Sequence, residues 1–73
     1  MAGADYSLAR QLLELLLRNN PFDLRAGLNM ALVLEAQGEV AAAREVARNL
    51  AQRHPLDPTL QALLDRLENT RSR

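Results

Sequence analysis

His54 is the single histidine of the chain and there is no cysteine, so the side chains that most often bind zinc or activate a nucleophile near neutral pH are nearly absent. His54 stands beside Pro55 with no second histidine or thiol to complete a metal set or a nucleophile–base pair, and it reads as a turn residue. The carboxylates occur singly between arginines, Glu14 between Arg10 and Arg18 and Glu45 between Arg44 and Arg48, which is the pattern of solvated helix faces. From this inventory no nucleophile, base and orienting group can be assembled, and the expectation is a protein that is not an enzyme and carries no metal or cofactor. Arg44 and Arg48 lie one helical turn apart, but Glu45 sits beside them. Tyr6 and Phe22 are the only aromatics, too few for a base-stacking platform, so no nucleic-acid partner is expected.

Seventy-three residues make one domain at most, with a large share of its surface wet and a core that gains from a partner or a second copy. The 48% apolar content is almost entirely Leu, Ala and Val, the palette of packed helices. Nine basic and nine acidic residues balance, which leaves no general field to draw polyanions or an anionic membrane surface. The amino terminus lacks the charged and apolar regions of a signal peptide, and the run from Leu12 to Leu17, broken by Glu14, is too short to span a bilayer. Membrane insertion is therefore not expected, and a cytoplasmic setting is the default for a compartment the residues do not specify.

Periodicity predicts four helices. The first, residues 7–19, has Asp5 as its N-cap and ends at Asn19-Asn20-Pro21. Ala9, Leu13 and Leu16 form one stripe on it, and Leu8, Leu12 and Leu15 a second stripe beside the first. That apolar face is too broad for a helix covering one neighbour. The second helix starts after Asp23, is apolar almost all the way round from Gly27 to Leu34, and stops at Gly38, so it belongs at the centre. The third, residues 40–53, keeps a narrow stripe of Val40, Ala43, Ala47, Leu50 and Ala51, with Arg44, Glu45, Arg48, Asn49 and Gln52 on its wet side. His54-Pro55-Leu56-Asp57 breaks the chain. The fourth, residues 58–70, opens on Pro58 and sets Leu60, Leu63, Leu64 and Leu67 against a polar side of Gln61, Asp65, Arg66 and Glu68. Residues 70–73 are expected to fray.

An offset of 34 residues superposes Tyr6 on Val40, Ala9 on Ala43, Arg10 on Arg44, Leu16 on Leu50, Pro21 on Pro55 and Asp23 on Asp57. A fixed period of that length marks a two-helix repeat. Residues 24–57 resemble the tetratricopeptide repeat, with Met30-Ala31 at its Leu-Gly pair, Leu34 at its Tyr, Gln37-Gly38 at the inter-helix turn, Ala43 at its small residue and Pro55 at its closing Pro. Ala4-Asp5-Tyr6 looks like the opening of a second helix of such a repeat, and residues 58–69 are similar to a first helix. The pattern departs from the family at Gly27, where a bulky aromatic is usual, at Ala47 and Leu50, which replace an aromatic and a small residue, and along the fourth helix. The resemblance implies an all-α domain over residues 1–73: antiparallel helix-turn-helix repeats, about four helices in a right-handed superhelical stack. Residues 7–19 are the second helix of a partial repeat, 24–57 a complete repeat, and 58–70 the first helix of a further partial repeat.

The resemblance also implies a non-catalytic scaffold or protein-interaction module, and two surfaces are candidates. The inner, concave wall of the family is made by the first helix of each repeat, here Arg25, Leu28, Asn29, Leu32 and Glu35, joined by Ala62 and Arg66. Arg25 and Asn29 resemble part of the set with which peptide-binding members hold a carboxylate, the remaining basic positions being absent. The other surface is Leu8, Leu12 and Leu15, because a repeat array needs polar faces at its ends and only the fourth helix supplies one. The favoured reading is docking of a partner or of a second copy, a homodimer, through this face. The alternatives are a peptide groove on the concave wall and a truncated accessory segment of a larger multidomain protein or enzyme. A third possibility for the leucines is internal: the chain at residues 19–22 folds back and Phe22 covers them.

Overall fold

The computed structural model describes residues 6–69, and four helices follow one another along them: α1 (Tyr6–Asn19), α2 (Leu24–Ala36), α3 (Val40–Arg53) and α4 (Pro58–Asn69). No strand occurs among the described residues. The expected cap at Asp5, the likeness of Ala4-Asp5 to a repeat opening, and the fraying of residues 70–73 lie outside this range.

The starts of α2 and α4 and the turn between α2 and α3 have local chemical causes. Asp23 Oδ1 accepts from the Ala26 amide at 2.9 Å, satisfying one of the amide groups that a helix start leaves without a partner. Asp57 does the same for α4, Oδ2 accepting from the Leu60 amide at 2.8 Å, with Pro58 in the position where a missing amide hydrogen is harmless. Between α2 and α3, Gly38 takes φ +84°, the left-handed region that a side chain disfavours. Its amide donates to the Glu35 carbonyl at 3.0 Å and the Glu39 amide to the Leu34 carbonyl at 2.8 Å, so the last carbonyls of α2 are satisfied by the turn itself.

The 34-residue period is repeated in the hydrogen bonds. Asn20 N–H donates to Leu16 O as His54 N–H does to Leu50 O, and Asp23 N–H to Asn20 O as Asp57 N–H does to His54 O. Gly27 N–H donates to Asp23 O as Gln61 N–H does to Asp57 O. The α1–α2 corner and the α3–α4 corner are therefore one structure occurring twice, which makes α3 the internal reference for what α1 should bury.

Consecutive helices pack antiparallel into a slab 35 × 35 × 17 Å. The core runs from Leu13 through Ala26, Met30, Ala31 and Leu34 to Ala43, Ala47 and Leu50, and ends on Leu60, Leu63 and Leu67. As its apolar circumference predicts, α2 lies between α1 and α3. The size order departs from the family's here: Gly27 is buried, and a Cβ on it would lie 2.7 Å from Leu50 Cδ2 and 2.8 Å from Leu50 Cγ. The bulk that the family places on α2 comes instead from α3.

One helix is turned differently from its expected orientation. Leu13 is the buried residue of α1 and Leu17 packs beside it, whereas Leu16, expected on the inner stripe with Ala9 and Leu13, is 55% exposed. Leu13 and Leu17 are one turn apart and face α2 together, and this rotates Leu16 outward.

Candidate functional site

On α1 the rotation gathers four leucines on one outward face: Leu8, Leu12, Leu15 and Leu16, exposed by 52, 54, 53 and 55%. The sequence-derived stripe named three of these; Leu16 is the fourth. The internal reference shows how unusual their exposure is. The positions on α3 that correspond to Leu8, Leu12 and Leu16 are Ala42, Val46 and Leu50, the first two half-buried and Leu50 only 2% exposed. Val46 and Leu50 lie beside Leu17, Pro21 and Gly27, so the shelter comes from α1 and α2. The position that corresponds to Leu15 is Asn49, exposed and polar, as an exposed repeat position ordinarily is.

Phe22 does not cover the leucine face, which corrects the internal alternative. Its ring lies 4.1 Å beneath the Arg53 guanidinium at the end of α3, and its carbonyl is 2.9 Å from His54 Nε2. Cation–π attraction and that hydrogen bond hold the loop against the opposite end of the repeat. His54, expected as an ordinary turn residue, therefore joins the two corners of the fold.

Arg10 and Glu14 of α1 are turned away from the leucines. Arg10 reaches the α2–α3 turn, with Nη1 3.2 Å from both Gln37 Oε1 and Glu39 Oε2, and its Nε lies 3.6 Å from Glu14 on the same helix. Arg48, expected on the wet side of α3, pairs with Glu68 of α4 at 2.8 Å. Arg44 on the same side is half-buried.

A second depression, about 600 Å³, lies between α2 and α4 and is lined by Leu28, Asn29, Leu32, Thr59, Ala62 and Arg66 among others. Arg25 stands with Leu24 and Asp57 in an adjoining hollow of about 280 Å³ that shares Leu28, Asn29 and Thr59 with it. The concave-wall residues named from the sequence are thus brought together, with one change: Glu35 is held by Arg66, Oε1 to Nη2 at 2.5 Å, across the mouth between α2 and α4. The two surfaces also meet. A cleft of about 380 Å³ between α1 and α2 is lined by Ala9, Leu12, Leu13, Asn29, Leu32 and Val33, so Leu12 and the 45% exposed Leu32 face the same space. Sequence reasoning kept these faces apart because Leu12 and Leu32 sit on different helices with no local pattern linking them.

Among the described residues, no group of three or more His, Cys, Asp or Glu could hold a metal ion, and no helix is long and apolar enough to cross a membrane.

The tetratricopeptide-repeat family model matches residues 24–67, more than half of the chain. The chain belongs to the tetratricopeptide-repeat family. Comparison with curated proteins and with solved structures finds no match. Tetratricopeptide repeats generally mediate protein–protein interaction and are generally non-catalytic, and an all-α antiparallel helical repeat is the architecture they form. The matched stretch takes in α2, α3 and most of α4.

Proposed function

We propose that this tetratricopeptide protein is a non-catalytic interaction module whose docking surface is the outward face of α1: Leu8, Leu12, Leu15 and Leu16. The observation that carries the reading is the contrast with α3. Positions equivalent by the repeat are sheltered there at 42, 46 and 50, yet on α1 they are leucines, larger at two of the three, and about half exposed. Scattered single leucines on a surface are ordinary, but four on one face form a patch of the size that marks an interaction site. Covering a leucine contributes about 1.5 to 3 kcal/mol when it is full, and proportionately less from a half-exposed start. Four together supply enough to dock a partner or a second copy. The test is Leu12→Glu. Its helical content and its melting point in dilute solution should match the unsubstituted chain, while association through α1 is lost. Unfolding of the variant would instead mean that Leu12 is a core residue and would remove the reading.

A second reading, a peptide groove, draws on the joined hollows between α2 and α4, with Arg25 exposed at one end for a carboxylate and Leu28 and Leu32 as apolar contacts. Arg25→Glu should weaken capture of acidic or carboxy-terminal peptides, and equal capture by both forms would count against the groove.

A further inference from the structure

We infer that the occupant of the α1 face is a second copy of the same chain, paired about a two-fold axis that passes beside Leu12; this rests on the docking-face reading above. A two-fold contact sets each patch against itself, so every residue near the axis meets its own kind. Charge at the centre of such a contact would be self-repelling, and the centre here has none: Leu8, Leu12, Leu15 and Leu16 are flanked by Gln11 and Asn19, while Arg10 and Glu14 point to the far side and engage each other and Glu39. Arg18, the nearest cation at the edge, is six residues from Leu12, about 9 Å along the helix. Two antiparallel copies therefore carry their Arg18 residues to opposite ends of the contact.

The spacing is also self-complementary. Leu8, Leu12 and Leu16 form one row at intervals of four, symmetric about Leu12, and Leu15 and Asn19 begin the next row. Such rows pack into each other's grooves when two helices cross, so Leu8 of one copy meets Leu16 of its partner and Leu12 meets Leu12. The four half-exposed leucines present roughly 400 Å² per copy, within the range of functional patches, so two copies bury roughly 800 Å² from the leucines alone, the scale of a weak, reversible contact. A two-fold contact uses this face of both copies and so closes at two, and the outer side of α4 exposes Gln61, Asp65 and Glu68 in place of a second row of leucines.

The chain has no cysteine, which makes the axis directly testable. In Leu12→Cys, mild oxidation should convert most of the protein into a disulfide-linked dimer, because two thiols beside the axis fall within bonding reach. Gln61→Cys on α4, oxidised in parallel, should stay largely uncrosslinked. Sedimentation of the unsubstituted chain should show a monomer–dimer equilibrium somewhere between roughly 1 µM and 1 mM, as expected for an interface at the small end of the range, and Leu12→Glu should be monomeric throughout. Equal crosslinking of both cysteine variants, or an unsubstituted chain that stays monomeric, would overturn the pairing. In the monomeric case an environment-sensitive apolar dye separates the two levels. Dye binding that is lost in Leu12→Glu leaves the docking face standing with a different occupant, and no dye binding in either form removes both.

Discussion

Gly27 is bare because Leu50 fills the space its side chain would need: a Cβ at Gly27 would come within 2.8 Å of Leu50 Cγ, and Leu50 is 2% exposed. The pair inverts the family's usual distribution of bulk between the two helices of a repeat while keeping the space between them filled. Gly27→Ala should gain about 1 kcal/mol from helix propensity and lose about 1 to 3 kcal/mol from overpacking, for a net loss read by urea unfolding. Leu50→Ala alone should lose about 2 to 5 kcal/mol. Combined, the two substitutions should cost less than their sum, because Leu50→Ala removes the atoms that Gly27→Ala strikes. Strict additivity would show that the two residues do not share this space.

Removing the caps should weaken the corners independently. Asp23→Ala and Asp57→Ala each delete the acceptor for a helix-start amide, Ala26 in one case and Leu60 in the other, and each should cost about 0.5 to 2 kcal/mol. Because they belong to separate corners, denaturant unfolding of the double variant should show a nearly additive loss.

Gly38→Ala places a side chain at φ +84°, where nothing lies within 4 Å of the added Cβ, so the penalty is conformational alone. About 1 to 2 kcal/mol should be lost, and Gly38→Asn, better suited to that region, should lose less. Thermal unfolding of the two variants side by side measures the difference.

Most of this fold was legible in the residues, since its causes are local. Asp23 ahead of an apolar run and Gly38 behind one carry their meaning within a few positions of themselves, and Pro21 and Pro55 mark the repeat by their 34-residue offset. The second-helix position follows from apolar residues on all its sides. What local patterns cannot carry is how a helix is rolled about its own axis. Leu13 was common to any packing of α1, but whether Leu16 or Leu17 joins it is decided by α2, and Leu17 does. Phe22 was equally opaque: its attachment to Arg53 and His54 joins residues more than thirty positions apart. At the candidate site, Leu8, Leu12 and Leu15 were readable as surplus apolar surface, whereas the cleft joining Leu12 to Leu32 exists only once two helices are packed.

The attachment of Phe22 makes its own prediction. Phe22→Ala removes the ring under Arg53 and leaves the backbone carbonyl near His54, so the loss should be about 1 to 2 kcal/mol, below that of a fully buried aromatic. Because Phe22 lies away from the α1 leucines, association measured by sedimentation should be unchanged at temperatures where the variant is folded.

The ion pairs Arg48–Glu68 and Arg66–Glu35 lie at the surface, Glu35 partly covered, and each should contribute about 0.2 to 1 kcal/mol. Raising the salt concentration to about 1 M should therefore lower the melting point little, since screening acts on the pairs and not on the apolar core. Self-association should persist under the same conditions, as its contact surface is uncharged at the centre.

The most direct measurement is a dilution series of amide nuclear magnetic resonance spectra of the unsubstituted chain, assigned residue by residue. The account predicts that the amides of Leu8, Leu12, Leu15 and Leu16 shift together with concentration, along with those lining the cleft at Leu32 and Val33, while Gln61, Asp65 and Glu68 on α4 stay fixed. Spectra that do not change with concentration, or changes centred on α4, would contradict it.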